Sequence, residues 1–433
     1  MKTHLAGLQK EYFNAIRVGW FLTVRQIRHA GKGTTSLIVF IMILTFLNLI
    51  VVSGLLVGLI SGSFKQFREG YSGEVIITSE AGRSYIEDSP ELISFLRSHP
   101  EVSAISPRYN ISAQVLGTLN DLPDKGKRAN RIGARLVGID PLQEDTVTNF
   151  SRFIKYGEPL LPGDDGYILI GANLLKKYSS FADANIPGLE FLEDVDVGSR
   201  IEVSLTFKGG VVVKKDFIVK GIVKSKVDEI STRMFILDDE LKRMLPVNQT
   251  QVQEIAVRTD YRNALALVSE IKLFMGDNSA RTQTTDEAIP SFLRDIETTM
   301  SILGNALSSI ALIVASITIF IVIFINAVTK RKYIGIMKGI GISPRAIQFS
   351  YILQALFYGV TGSLIGLFLT FVVLKPYFDA HPIDFPFSDG ILVATAVGAA
   401  IRVGILLFVV LCAGYLPAKI IVRRNTLDAI LGR

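Results

Sequence analysis

Residues 298–329 read TTMSILGNALSSIALIVASITIFIVIFINAVT, a run of 32 residues without one charged side chain. An α-helix needs about 20 predominantly apolar residues to cross a hydrocarbon core roughly 30 Å thick. Three more stretches of this kind occupy residues 33–64, 346–374 and 390–418, and Arg402 is the only charge within them. A helix that packs on a soluble core is shorter and apolar on one side only. The four stretches therefore predict four membrane spans.

The segment between the first and second stretches is large and polar. Residues 65–297 carry 29 basic and 35 acidic residues, net −6, which leaves 17 basic and 5 acidic residues, net +12, for the remainder. These basic residues lie beside the ends of the predicted spans rather than in one patch, so the high pI does not indicate nucleic-acid binding. We expect one folded domain of over 200 residues on one side of the membrane.

The short flanks of the spans predict the orientation, because cytoplasmic flanks carry the excess of Lys and Arg. Residues 1–36 hold six basic residues and the segment between spans two and three holds five, whereas residues 375–389 hold Lys375 against three aspartates. Both termini are therefore expected in the cytoplasm, with the large domain outside an inner or plasma membrane whose lipids surround the spans. The predicted order is N-terminal segment 1–36, span 37–62, extracytoplasmic domain 63–297, span 300–328, cytoplasmic loop 329–347, span 348–374, extracytoplasmic loop 375–390, span 391–417 and cytoplasmic tail 418–433.

The extracytoplasmic domain is predicted to be mixed α and β. Stretches rich in β-branched residues predict strands at 74–78, 113–117, 135–139, 167–170, 200–207, 211–223, 234–237 and 254–258. Helices are predicted at 90–98, 172–178, 238–245 and 261–275. Residues 120–131 are predicted to form an exposed loop. Because Cys412 in the fourth span is the only cysteine, packing rather than a disulfide must stabilise the domain.

The N-terminal segment predicts a helix with one apolar face. Its apolar residues at helical spacing are Phe13, Ile16, Trp20, Val24 and Ile27, and Arg17, Arg25 and Arg28 are available to face lipid phosphates. This pattern is typical of a helix that lies in the membrane interface. An ordinary helix packed against the spans is the alternative.

The chain carries no motif for catalysis. Residues 31–34, GKGT, suggest a phosphate loop, but the position that should hold its first glycine is Gln26. The four histidines are scattered, and no paired cysteines or H-E-x-x-H spacing indicates a metal site. We therefore expect neither enzymatic activity nor a bound cofactor or metal in this chain.

The most specific signal is the segment 330–345, KRKYIGIMKGIGISPR. After the basic residues, Ile334, Ile336 and Ile340 are expected to be exposed in a short loop, which suggests a docking surface. Ser343 and Pro344 are expected to cap and start a new short helix.

This segment resembles the signature of the MacB/FtsX-like ABC transporter permeases, in which basic residues precede E-I-G-I-L-K-A-[IL]-G-A-S. The matching positions are Ile334, Gly335, Ile336, Lys338, Ile340, Gly341 and Ser343, whereas Tyr333 replaces Glu and Gly339 replaces Ala. Residues 415–419 and 425–430 are similar to the family's C-terminal ending, and residues 100–108 and 136–141 to elements of its outer domain.

The resemblance implies a half-transporter that binds a separate cytoplasmic ABC ATPase, where ATP and Mg²⁺ would be found, and that pairs with a second copy or a paralogue. It assigns contact with the ATPase to residues of the second cytoplasmic loop: Ile334, Gly335, Ile336, Lys338, Gly341, Ser343, Pro344, Arg345 and Ile347. It also implies a porter-like part of the outer domain, at 63–141 and 233–290, and an inserted β-rich part at about 142–232.

Two features inside the spans invite interpretation. Glycines four residues apart let helices approach closely, so a helix-packing face or a seam between two copies is expected at Gly54, Gly58, Gly62, Gly362 and Gly366. Arg402 lies about 16 Å inside the fourth span if the helix begins at residue 391, so it is expected to face a partner group or a cavity unless it snorkels or the helix begins later.

These observations predict an ABC permease that moves an outer domain, with a lipoprotein or amphipathic molecule as cargo. The lipoprotein-releasing branch of the family is most similar in layout, since it lacks a fused ATPase. A MacB-like efflux of small molecules or peptides is the first alternative, with a periplasmic carrier or an outer-membrane channel as a further partner. The second is a signal transmitter that activates an extracytoplasmic hydrolase.

Overall fold

The computed structural model describes residues 2–29, 31–117, 130–183, 190–207, 209–245, 250–276, 280–381, 383–385, 388–390 and 392–422. The predicted loop at 120–131 and the family-like ending at 425–430 lie mostly or wholly outside these residues. The chain divides into two compact units. We call residues 1–59, 295–383 and 390–433 the helical unit, and residues 60–294 and 384–389 the sheet unit.

The α-helices of the described residues, in chain order, are α1 Lys2–Arg28, α2 Lys32–Leu47, α3 Ser53–Phe67, α4 Ser89–Ser98, α5 Pro141–Thr148, α6 Asp228–Ser231, α7 Asp238–Met244, α8 Ala264–Met275, α9 Thr285–Ala288, α10 Ser291–Thr329, α11 Arg331–Gly339, α12 Pro344–Phe368, α13 Lys375–Ala380 and α14 Ala396–Val422. Short π-helical segments at Asn48–Val52, Arg68–Ser72 and Leu369–Leu374 continue α2, α3 and α12.

The strands are β1 Val75–Thr78, β2 Val102–Leu116, β3 Arg131–Ile139, β4 Ile154–Gly157, β5 Tyr167–Gly171, β6 Arg200–Thr206, β7 Val212–Val223, β8 Arg233–Leu237, β9 Glu254–Thr259, β10 Arg281–Thr284, β11 Ile383–Phe385 and β12 Ser388–Gly390.

One long strand organises the sheet unit. The first half of β2, from Val102 to Arg108, pairs with β9, and β9 continues through β1 to β10. Its second half, from Tyr109 to Leu116, pairs with β3, which leads on to β8, β5, β7 and β4. β6 pairs with the end of β2 and with β7. The first half of β2 thus forms one half of the sheet together with β1, β9 and β10. The second half of β2 forms the other half together with β3, β4, β5, β6, β7 and β8.

A continuous apolar core stabilises both halves of this sheet. Alternate side chains of β1, β2 and β9 point to α4 and α8, which cover that face with Leu92, Leu96, Leu267 and Ile271. A second cluster, around Phe150 and Phe235, packs the opposite face. Because strands bury alternate residues on one face, the mixed pattern of Val, Ile and polar residues in the sequence is the expected one.

The helical unit contains the four apolar helices. Helices long and apolar enough to cross a membrane are found at Thr35–Ser72, Ser291–Thr329, Pro344–Ala380 and Ala396–Ile420 of the described chain. In this unit α12 is central, since it packs against α1, α2 and α14. The predicted fold class, one span before and three after a mixed α and β domain, is confirmed.

Several predicted elements are corrected. Residues 172–178 do not form a helix: a single 3₁₀ turn, Ala172–Leu174, ends where Leu175 returns to an extended conformation. The helix of the fourth span begins at Ala396 rather than at residue 391, although residues 392–395 are mostly apolar. The strand predicted at 113–117 is the end of β2, which extends back to Val102.

Candidate functional site

The segment between α10 and α12, residues 330–347, folds as a helix and a capped turn rather than as a loop. We call it the connecting segment. Its helix α11 is followed by Ile340 and then by Gly341, whose φ of +91° is a conformation that favours glycine. Gly341 N–H donates to the Lys338 carbonyl and Ile342 N–H to the Met337 carbonyl, each at 3.0 Å. This pair of bonds is a Schellman motif, which satisfies the carbonyls at the helix end.

The next helix begins immediately after this turn. The Ser343 hydroxyl accepts a hydrogen bond from Ala346 N–H at 3.2 Å, and Pro344 occupies the first turn of α12. The predicted cap is therefore confirmed. The helix that it starts is not short, because α12 continues for 25 residues as the third span.

The helix α11 sorts the predicted residues onto two faces. Ile334 is 2% exposed and Gly335 is buried, whereas Tyr333, Ile336 and Ile340 are 68%, 44% and 73% exposed. The expectation that Ile334 is exposed is wrong, since helical spacing turns it into the core of the helical unit. We call Tyr333, Ile336 and Ile340 the apolar triad.

The remaining predicted residues divide in the same way. Ile347 is fully buried and Lys338 is partly buried, and this burial lowers the pKa of the Lys338 ammonium. Pro344 and Arg345 are exposed on the first turn of α12. The connecting segment therefore presents an apolar triad and a basic residue on a scaffold whose inner side is packed.

Glycines of the spans lie where helices approach closely within one chain. A Cβ atom on Gly362 would lie 2.4 Å from Met42 Cβ, and one on Gly366 would lie 2.4 Å from Phe46 Cδ1, both on α2. A Cβ on Gly54 would lie 2.7 Å from the carbonyl oxygen of Val393. Gly58 and Gly62 are also buried. A glycine seam between two copies stays a prediction.

Arg402 has a partner inside the helical unit. Its Nη2 donates to the Ser53 hydroxyl at 2.9 Å. Because α14 begins at Ala396, Arg402 lies about 9 Å from the helix start rather than 16 Å. The shallower position lowers the cost of placing the charge there.

The sheet unit also contains a buried charge network that no sequence pattern predicted. It is formed by Tyr71, Arg108, Glu144, Arg233 and Glu254. Arg108 binds the Glu144 carboxylate with Nη2 and Nε at 2.7 and 2.8 Å, and Arg233 Nη1 lies 3.0 Å from both oxygens of Glu254. The Tyr71 hydroxyl donates to Glu254 at 3.1 Å. All five side chains are less than 9% exposed.

Tyr71 contacts both arginines of this network. The guanidinium carbons of Arg108 and Arg233 lie 5.1 and 5.0 Å from the centre of its ring, close enough for cation–π attraction. Arg108 Nη2 also donates to the Tyr71 carbonyl at 2.6 Å. The network thus joins the end of the first apolar helix, at Tyr71, to β2, β8 and β9.

The charges in this network are strongly coupled. Burial by itself would raise the pKa of Glu254, but Arg233 and Arg108 outweigh it and hold that pKa at about 2. Burial and the charge of Glu254 raise the pKa of Tyr71. Both groups therefore keep one charge state over the physiological range.

Two clefts open on the sheet unit where β2 changes partners. Their volumes are about 770 and 700 Å³, and they share Ser112, Arg135 and Thr206. Their walls mix polar side chains with Ile111, Phe207 and other apolar groups. Among the described residues, no three His, Cys, Asp or Glu side chains are arranged to hold a metal ion.

The C-terminal part of the chain is similar to known proteins. Residues 305–426, which contain the connecting segment, match the family described as FtsX-like permease C-terminal. An uncharacterized ABC transporter permease from Methanocaldococcus jannaschii is 24% identical over 238 residues, which cover 52% of this chain and 58% of that protein. The C-terminal part of the chain is therefore similar to FtsX-like permeases of ABC transporters.

Two solved structures are similar to part of this chain. The periplasmic region of MacB from Actinobacillus actinomycetemcomitans is 14% identical with a TM-score of 0.32, covering 51% of this chain and 93% of that one. The extracellular domain of the noncanonic ABC-type transporter YknZ from Gram-positive bacteria is 12% identical with a TM-score of 0.30, covering 48% and 99%. These scores are too low to carry an argument.

Proposed function

We propose that this permease couples ATP hydrolysis by a separate cytoplasmic ATPase to motion of its sheet unit outside the membrane. The observation that carries the proposal is the apolar triad, which stays exposed beside basic residues on a helix whose other face is packed. An exposed apolar patch with a polar rim is typical of a protein docking site. The chain itself has no phosphate-binding motif, so the energy source would lie in the partner.

The rigid ends of α11 support this role. The Schellman motif at Gly341 and the cap at Ser343 fix the turn between α11 and α12, while Ile334 and Ile347 anchor both helices. A docking surface held in this way loses little conformational freedom on binding, which favours affinity. The charge at Arg345 lies on the adjacent exposed turn.

The test is binding of the cognate ATPase to the intact permease after mild solubilisation. We expect Ile336→Asp and Ile340→Asp each to weaken binding about 30-fold, because a hot-spot residue contributes about 2 kcal/mol. Leu142→Asp is the matched control, since Leu142 is an apolar side chain 63% exposed on the sheet unit. Recovery of no ATP-binding subunit with the wild-type protein would refute the coupling role.

For the cargo we propose a lipoprotein or another amphipathic molecule. The four apolar stretches carry one charge, Arg402, so they offer little material for a polar path through the membrane. Cargo handled by the sheet unit at the outer leaflet needs no such path. In this proposal both termini lie in the cytoplasm, and the permease pairs with a second copy or a paralogue.

Efflux of small molecules or peptides is a second candidate, and the two clefts favour it. Their volumes fall in the range of small-molecule sites, and their walls mix apolar and polar groups. Identification of the proteins that co-purify separates the candidates. A lipoprotein carrier supports lipoprotein release, whereas an outer-membrane channel supports efflux.

A further inference from the structure

The N-terminal helix α1 packs on the first turns of α12 through a face of small residues. Ala15, Gly19 and Thr23, spaced by four, are all buried. A Cβ atom on Gly19 would lie 3.0 Å from both the Ala346 carbonyl oxygen and Phe349 Cβ, and 3.4 Å from Ser350 N. The two helix backbones therefore meet at Gly19 with no room for a larger side chain.

Hydrogen bonds fix the register of this contact. The Thr23 hydroxyl lies 3.0 Å from the Ser350 carbonyl oxygen and 2.8 Å from the Gly19 carbonyl oxygen of its own helix. The Ser350 hydroxyl donates to Gln26 Oε1 at 3.3 Å. Thr23 and Ser350 are buried, so these bonds are sheltered from competing water.

The contact falls on the same turns of α12 that complete the connecting segment. Ala346 and Ser350 face α1, while Pro344 and Arg345 are exposed. Any displacement of α1 against α12 therefore moves the turn that carries Arg345. The apolar face expected from the sequence is not the one that packs, since Ile16 and Trp20 are exposed and Ala15, Gly19 and Thr23 are buried.

We infer that α1 is a brace that positions the connecting segment, with Gly19 and Thr23 as positioning residues for ATPase docking. The docking part of this inference rests on the proposed function, whereas the positioning part does not. A helix that only anchors the chain in lipid would depend on Trp20 and Phe21, which are exposed, and not on Gly19.

The first experiment measures position without the ATPase. Because Cys412 is the only cysteine, Cys412→Ser gives a background in which Ile340→Cys and Leu416→Cys carry spin labels on the connecting segment and on α14. We expect Gly19→Leu to shift and broaden the distance distribution between the labels. Gly33→Leu is the matched control, since no atom lies within 4 Å of a Cβ there. An unchanged distribution in Gly19→Leu overturns the inference.

Two smaller substitutions keep the inference testable if Gly19→Leu misfolds. Gly19→Ala adds only the Cβ atom at 3.0 Å, and Thr23→Val keeps the shape of the side chain but removes the hydroxyl. Both are expected to shift the same distance in the same direction by less than Gly19→Leu. If Gly19→Leu does not assemble, an unchanged label distance in both milder variants overturns the inference.

The second experiment measures ATPase affinity. We expect Gly19→Leu to weaken binding at least tenfold, and its effect to be less than additive with Arg345→Glu, because both act through one segment. A general loss of stability would give additive effects. Lack of ATPase binding by the wild type refutes the proposed function alone, because the label distances still decide whether α1 is a brace.

Discussion

The connecting segment of the helical unit and the charge network of the sheet unit hold their surroundings in opposite ways. The connecting segment spans 18 residues, exposes apolar side chains and is fixed by local caps. The charge network joins residues from 71 to 254 and buries four charged side chains. It is stabilised by hydrogen bonds and ion pairs between residues far apart in the chain. The first is suited to meet a partner, and the second to keep distant elements together.

This difference makes the two regions separable by mutation. A change in the charge network should alter the stability of the sheet unit and leave ATPase binding unaffected. A change in the connecting segment should do the reverse.

Arg233→Ala should destabilise the sheet unit by about 3–5 kcal/mol, because it leaves Glu254 charged and buried without its closest charged partner. Chemical unfolding of the full-length permease, followed by a probe in the sheet unit, measures the change. The control is Arg97→Ala on the exposed side of α4, where a change within about 0.5 kcal/mol is expected. Equal stability of the two variants would show that the network contributes little.

Acidification should destabilise the same unit through Glu254. Its pKa of about 2 lies below the ordinary 4.5, so the ion pairs stabilise the fold above about pH 4.5 and are lost as the pH falls towards 2. The difference corresponds to about 3 kcal/mol. In Glu254→Gln the dependence of unfolding free energy on pH should be weaker in this window. An identical pH profile for both proteins would contradict the assignment.

Ser343→Ala should have the smallest effect, about 1 kcal/mol, because it removes one capping hydrogen bond at the start of α12. We expect a several-fold loss of ATPase affinity with no change in unfolding of the sheet unit. Ser309→Ala serves as the control, since that hydroxyl is exposed and bonds only within its own helix. A loss of sheet-unit stability in Ser343→Ala would show that the two regions are not separable.

The sequence predicted those features that depend on residues close together along the chain. The apolar stretches, the basic flanks and the Ser343 cap are all readable from short windows, and the spans and the cap were found where expected. The start of α14 was misplaced because residues 392–395 are mostly apolar without being helical. Apolar composition indicates burial in lipid or protein, and it does not indicate where a helix begins.

Long-range contacts explain what the sequence did not predict. The first part of β2 contains Pro107 and several polar residues, and its pairing with β9 joins residues about 150 positions apart. Arg108, Glu144 and Glu254 are ordinary polar residues in their local context, and only the fold brings them together. Gly19 was likewise hidden, since a glycine in an amphipathic helix gives no sign of the helix that will contact it.

The strand β2 has a consequence for how the sheet unit can deform. Its residues up to Arg108 are in register with β9, and those from Tyr109 onward are in register with β3. The strand β2 cannot shift its register along β9 without also shifting its register along β3. Because the two halves of the sheet share this one strand, sliding one half past the other would break ladder hydrogen bonds along β2.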